Sequence, residues 1–209
     1  LVLHSSVMSS PPRTCRSAPN EISLILSAAH RDPFGFLGLH PNPAGEGMVL
    51  RVFRPYTAFV RATPDGGETV EMTCLKREGF YECLFPDHSE RFPYTLTFQF
   101  GEVVTEPLRD PYSFGPVLGE QDVYFLGEGT HRRLWKTMGA HVRPLEGVDG
   151  VSFAVWAPNA YRVSVVGDFN GWDGGRNPMR LRRECGVWEV FILEARVGSR
   201  YKYAVHDAQ

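Results

Sequence analysis

The residue types best suited to chemistry in this 209-residue sequence lie in Val166-Gly167-Asp168-Phe169-Asn170-Gly171-Trp172-Asp173. Asn170-Gly171 is a strong turn signal, and a turn there holds Trp172 beside polar Asn170 and Asp173 at the rim of a sheet. An indole stacks on the C–H face of a sugar, while amide, carboxylate and ammonium groups bond its hydroxyls. A Trp with such groups nearby therefore suits a carbohydrate surface. Residue type alone leaves a second reading open, in which Trp172 folds back onto a core as large aromatics do. Trp156 and Trp188 fall on strand-like runs with apolar alternation and are read as core.

Other chemistries find no pattern. The sequence has no G-x-G-x-x-G, G-x-x-x-x-G-K-[ST], H-E-x-x-H or G-x-S-x-G, so nucleotide, zincin and serine-hydrolase motifs are absent. Cysteines 15, 74, 83 and 185 have no CxxC spacing, and no zinc or redox motif is readable. A two-residue turn at Glu78-Gly79 would set Cys74 opposite Cys83, which makes a disulfide conceivable. The alternative is two small apolar residues on an inner face, in line with Met72 and Phe85. His40 and His141 recur at one position of an internal repeat and are read as bonded to backbone rather than as metal ligands. No metal or cofactor is expected.

Composition narrows the class. With 43% apolar and 22% charged residues, the chain is of ordinary globular type. Its net charge of -2, without a block of like charges, lacks the basic stripe of a nucleic-acid binder. The longest apolar run, Phe153 to Ala157, is far below the roughly 18 to 20 residues of a membrane helix, and Leu1 to Ser10 has no signal-peptide pattern. A cytoplasmic location is expected, with neither nucleic acid nor membrane as a partner.

The elements that must position these residues are mostly strands. Residues 1–19, with three prolines and five serines, read as a disordered leader, and Met8 is a plausible natural start. Asn20 is placed to cap a short helix from Glu21 to His30. Short β-rich runs follow: Met48–Phe53, Phe59–Thr63, Thr69–Lys76, Phe80–Phe85, Tyr94–Phe100 and Val103–Glu106. A second set comprises Val151–Trp156, Arg162–Asp168, Met179–Arg182, Val187–Leu193 and Arg200–His206.

The two sets match. Leu37-Gly38-Leu39-His40 corresponds to Met138-Gly139-Ala140-His141 at an offset of 101, and Phe53-Arg54-Pro55 to Trp156-Ala157-Pro158 at 103. Gly79-Phe80-Tyr81-Glu82 corresponds to Gly186-Val187-Trp188-Glu189 at 107. Met72, Cys74, Cys83 and Phe85 thus take the places of Met179, Leu181, Val190 and Ile192, and all eight are expected to face a core. The fold expected is all-β, two tandem immunoglobulin-like sandwiches with a short N-terminal helix. The first module covers 20–115 and the second 137–209, joined by a connector over 116–136 with one helical turn near Thr130–Met138. Gln209 corresponds to Glu102, so the second sandwich reads as truncated, without a counterpart of Val103 to Phe114.

Gly150 through Ala160, Val163 through Asp173, Gly186-Val187-Trp188-Glu189 and Tyr201-Lys202-Tyr203 closely resemble the starch- and glycogen-binding module of bacterial glycogen branching enzymes. Asp32-Pro33-Phe34, Leu37 to His40, and Asp110-Pro111-Tyr112 through Gly127-Glu128-Gly129-Thr130-His131 resemble the additional N-terminal module and connector of the long form. The resemblance covers residues 21 to 209. It implies an intracellular enzyme that cuts an α-1,4 glucan and transfers the piece to a 6-hydroxyl, without a dissociable cofactor. Its acids sit on a catalytic barrel of the same polypeptide that this sequence does not include. No catalytic residue is therefore carried over, and the chain by itself is expected to be inactive. The resemblance carries α-glucan binding to Trp172, Lys202 and, more weakly, Asn170. The alternatives are a free-standing α-glucan-binding or scaffold module, and the lead module of a debranching or trehalose-forming enzyme.

Overall fold

The computed structural model describes residues 17–207. The leader expected over 1–19, with Met8 and Cys15, lies outside these residues except at its end. There Ser17 is buried, donates to Glu82 and accepts from Arg51 Nε at 2.5 Å. Helix α1 spans Pro19–Leu26, not Glu21–His30. Ala18 is its N-cap and Pro19 opens it with a preset φ, which leaves Asn20 inside the first turn. The helix stops because Ala28 turns left-handed, φ 56°, and the Ala29 and His30 amides return to the Leu24 carbonyl.

The first copy continues with β1 (Gly38–Pro41), β2 (Met48–Phe53), β3 (Phe59–Pro64), β4 (Val70–Glu71), β5 (Thr73–Lys76), β6 (Phe80–Phe85), β7 (Tyr94–Phe100), β8 (Val103–Val104) and β9 (Leu108–Arg109). Two antiparallel sheets, ordered β1-β2-β6-β5 and β4-β3-β7-β8 with β9 also on β7, enclose a core around Leu50, Val60, Tyr81 and Leu96. The single strand expected over Thr69–Lys76 is split. β4 pairs with β3 and β5 with β6, so the chain changes sheets at Met72, whose side chain enters the core.

That break corrects the cysteine arithmetic. A register shift between Cys74 and Lys76 pairs Cys74 with Tyr81 rather than with Cys83. Cys74 is exposed, with its thiol on the Lys76 carbonyl at 3.2 Å, whereas Cys83 is buried in the core, and both are free thiols. Seven of the eight positions expected to face a core do so, Cys74 being the exception. Burial pushes the Cys83 thiol up to about 12, which makes it unreactive at neutral pH. Gly79 turns the β5–β6 hairpin at φ 110°, and a Cβ there would stand 2.3 Å from the Arg54 carbonyl oxygen. Gly79→Ala is therefore expected to cost about 2 kcal/mol in urea unfolding, and a loss below about 0.5 kcal/mol would contradict that strain.

The second copy contains α2 (Glu120–Gly127), β10 (Gly139–Leu145), β11 (Val148–Trp156), β12 (Ala160–Gly167), β13 (Arg180–Arg182), β14 (Val187–Ile192) and β15 (Tyr201–Asp207). The order β10-β11-β14-β13 repeats that of β1-β2-β6-β5, and β12 pairs with β15 as β3 does with β7. Trp188 lies in the core and donates to the Ala157 carbonyl at 3.0 Å. Trp156 does not. It is 64% exposed, because Val155 takes the inward position at the end of β11 and alternation turns Trp156 outward.

The repeat reaches further upstream than the strand pattern indicates. Helices α1 and α2 stand 101 residues apart, as do the 3₁₀ turns Pro33–Gly35 and Leu134–Lys136. His30 bonds Glu21 at 2.6 Å and His131 bonds Asp122 at 2.8 Å. His40 and His141 bond the Leu37 and Met138 carbonyls at 2.8 and 2.9 Å. The expected helical turn at Thr130–Met138 shrinks to Leu134–Lys136, and the helix lies earlier, where Val123 and Leu126 pack on Ala154 and Val187.

The copies are joined through polar contacts and through Phe34, which packs on the second core. The Arg162 guanidinium donates to the Ala28 carbonyl, Tyr161 Oη to Ala29 at 3.5 Å, and Arg180 stacks on the Phe34 ring at 4.3 Å. The segment Phe114–Leu118 docks on the outer face of β14. There the buried Glu189 carboxylate accepts the Leu118 amide at 2.7 Å and lies 3.5 Å from Arg182 and 3.9 Å from Arg180. Among the described residues no helix is long and apolar enough to cross a membrane, and no group of three potential metal ligands occurs.

Candidate carbohydrate-binding site

Strand β12 ends at Gly167 and passes into one 3₁₀ turn, Asp168–Asn170. Gly171 (φ 67°) and Trp172 (φ 63°) then reverse the chain, one residue later than the Asn170-Gly171 turn expected. Two successive left-handed residues make a tight reversal, and Gly171 supplies the first at no steric cost.

Asn170 is what makes this loop rigid. Its Oδ1 accepts the Gly167 amide at 2.9 Å, and its Nδ2 donates to the Val165 carbonyl at 2.8 Å and to Asn177 Oδ1 at 2.7 Å. At 2% exposure its amide is committed to the protein, so the structure gives Asn170 a positioning role in place of the sugar contact expected of it.

Trp172 is held at the rim without being buried. Its amide bonds the Gly167 carbonyl at 3.0 Å and its indole Nε1 donates to Asp168 Oδ1 at 3.3 Å, yet 44% of its surface is exposed. That excludes the reading in which it folds into the core. Asp168 is itself clamped by Arg200, through the backbone amide and Nε, both at 3.1 Å, and a terminal guanidinium nitrogen at 3.2 Å. The Arg200 hydrogen bonds hold the Asp168 carboxyl below the usual carboxylate range. An exposed pair of this kind adds little stability; its effect is to orient the indole.

Lys202 is exposed on β15, opposite Val166 of β12, and cross-strand partners point to one face. The loop after Trp172 crosses that same face, since a Cβ on Gly174 would stand 3.8 Å from Val166 Cγ1. The fold thus brings an indole, an ammonium group and a carboxylate to one rim and turns Asn170 inward. Asp168 and Arg200 went unread in the sequence. Only the register that pairs Gly167 with Tyr201 places them together.

Comparison with known proteins shows what the chain as a whole is similar to. The profile described as Carbohydrate-binding module 48 (Isoamylase N-terminal domain) matches residues 137–209. The profile of the alpha-1,4-glucan branching enzyme GlgB, N-terminal domain, matches residues 18–112. The 1,4-alpha-glucan branching enzyme GlgB of Myxococcus xanthus is 44% identical over 189 residues, which is 90% of this chain and 25% of that protein. Its counterpart from Cereibacter sphaeroides is 48% identical over 185 residues, 88% of this chain and 25% of that protein. The chain belongs to the N-terminal region of the 1,4-alpha-glucan branching enzyme family. It spans about a quarter of the length of these branching enzymes. The Trp172 rim falls inside the carbohydrate-binding match, and α1 with the first sandwich falls inside the branching-enzyme match. A solved pullulanase from Anoxybacillus sp. LM18-11, complexed with maltotetraose, aligns with 77% of this chain and 21% of its own at 18% identity and TM-score 0.29. That likeness is too low to assign anything.

Proposed function

We propose that this chain is the non-catalytic N-terminal portion of a cytoplasmic 1,4-α-glucan branching enzyme and that its second copy binds α-glucan at the Trp172 rim. Residues 20–115 act as a first module and residues 137–209 as the glucan-binding one. The connector 116–136 carries α2 between them. The observation that carries the binding role is an indole 44% exposed, yet fixed by its own N–H, in a loop whose conformation Asn170 locks. A preorganised aromatic face loses little entropy when a sugar ring stacks on it. Lys202, on the same sheet face, donates to a hydroxyl. No cofactor enters this role, and the free-standing and debranching alternatives gain no support from the branching-enzyme matches over both copies.

Trp172→Ala is expected to leave urea unfolding within about 0.5 kcal/mol of the parent, as befits a surface position. Its affinity for glycogen or a cyclic maltooligosaccharide is expected to fall at least about fivefold, roughly 1 kcal/mol for an aromatic contact. Unchanged affinity in a normally folded variant would remove Trp172 from the binding site.

A further inference from the structure

Two exposed aromatic residues, one in each copy, share an unusual backbone. Among the described residues four that are not glycine have positive φ, and Tyr56 (64°) and Trp172 (63°) are the aromatic ones. Tyr56 follows Pro55 in the turn between β2 and β3. Proline at the second position and positive φ at the third are the pattern of a type II turn, whose third residue is normally Gly or Asn because a Cβ is disfavoured there. No burial offsets that cost, since Tyr56 is 92% exposed. The turn is nevertheless rigid: Thr57 Oγ1 donates to the Arg54 carbonyl and Tyr81 Oη to the Thr57 carbonyl, both at 2.7 Å. Gly79 packs beneath it, where a Cβ would stand 2.8 Å from Pro55 Cα. A large ring held in water on a strained, well-fixed turn has the character of a ligand contact, and Trp172 has the same character.

The fold brings the Tyr56 turn to the Trp172 loop. Phe53 of the first copy and Gly175 of the second line one narrow cavity at the boundary between the copies. Tyr56 and Trp172 each lie three residues from it, so at most about 11 Å of chain separates either of them from that cavity. Arg54, beside the turn, faces two residues of the second copy. Burial and then Arg176 hold its guanidinium below the ordinary value, while Glu194 acts in the opposite direction. Arg176 belongs to the Trp172 loop and donates to the Asn170 carbonyl at 3.3 Å, and Glu194 is exposed at the end of β14. A cation and a carboxylate thus lie at the boundary between the two rings. Together they suit a neutral ligand rich in hydroxyls, which both donates and accepts.

We propose that Tyr56 is a second contact for the same α-glucan, so that a chain stacked on Trp172 continues across the boundary onto the first copy. The inference rests on the reading of the Trp172 rim as a glucan site and extends it to a site shared by both copies. A short oligosaccharide occupies the Trp172 end alone. A longer chain engages both rings, and the second contact then forms at high effective concentration because the first already holds the chain.

The test is the affinity of the 209-residue chain for glycogen and for maltotriose, in the parent and in Tyr56→Gly, Tyr56→Phe and Trp172→Ala. Glycine suits the left-handed position, so Tyr56→Gly is expected to unfold at no lower urea concentration than the parent. Its affinity for glycogen should fall at least about threefold while that for maltotriose stays unchanged, and Tyr56→Phe, which keeps the ring, should bind both as the parent does. Trp172→Ala should weaken both ligands. Full glycogen affinity in Tyr56→Gly beside a loss in Trp172→Ala would overturn the extension and leave the Trp172 rim standing. Full affinity in both variants would sink the rim as a glucan site, and the extension with it. An equal loss for glycogen and maltotriose in Tyr56→Gly would show that Tyr56 shapes the Trp172 end instead of touching a longer chain, and would overturn the proposal.

Discussion

Glu189→Ala is expected to destabilise the second copy by about 3–5 kcal/mol and to release the segment Phe114–Leu118. The carboxylate is 1% exposed and faces Arg182 and Arg180 from one side and the Leu118 amide from another. Burial pushes its pKa up despite these partners, so the site already carries a desolvation cost that the arginines and the amide offset. Removing the carboxylate leaves two guanidinium groups beside each other in a largely enclosed place and one buried amide without an acceptor. Breaking a buried ion pair from one side is costly for that reason. Glu189→Gln keeps an acceptor for Leu118 and should recover part of the loss. The measurement is urea unfolding together with amide exchange at Phe114–Leu118. A loss below about 1 kcal/mol in the alanine variant, or unchanged exchange in that segment, would show that Glu189 does not hold the connector.

The first copy should lose stability as the pH rises through about 6, and Asp110→Asn should remove that loss. Asp110 is buried, and burial lifts its carboxyl from an ordinary 3.8 to about 6, against the lowering effect of hydrogen bonds from Tyr94 Oη at 2.5 Å and the Tyr112 amide at 3.0 Å. A group whose pKa is raised on folding binds more protons in the native state. Its favourable contribution is complete below pH 3.8 and disappears as the pH passes 6. The displacement corresponds to about 3 kcal/mol between pH 4 and pH 7. An asparagine accepts from the Tyr112 amide and donates to Tyr94 without carrying charge. The difference in unfolding free energy between variant and parent should therefore grow with pH in favour of the variant. Parallel stability curves across that range would mean that Asp110 is not the titrating group.

The sequence by itself determined the elements whose signals are local. Strands β2, β6 and β7 fall where their apolar runs and flanking turns place them, because period-two alternation and turn residues act within a few positions of each other. The repeat was legible for the same reason: Gly79 and Gly186, His40 and His141 answer to backbone demands that recur with the fold. The Asn170-Gly171-Trp172 loop was legible as a rim, and Trp172 and Lys202 as residues on it, through the resemblance as well as residue type.

Tertiary structure decided whatever depends on who lies opposite whom. Cys74 and Cys83 are separated by a register shift that no spacing rule contains, since a bulge costs one residue and changes which face every later side chain takes. Trp156 and Trp188 have the same alternating context, and only the position of Trp156 on the outer side, past the cover of α2, leaves it exposed. Helix α2 has a short, interrupted apolar stripe that a window of residues does not mark, and it is held by the outer face of β11 and β14. Asn170 turned from ligand contact to loop anchor because its amide finds three backbone and side-chain partners at once. Asp168 and Arg200 meet across 32 residues of chain only because Gly167 pairs with Tyr201. Local propensity writes the strands and turns, whereas the faces, covers and charge pairs follow from the cross-strand register and the docking of the copies, which are properties of the assembled chain.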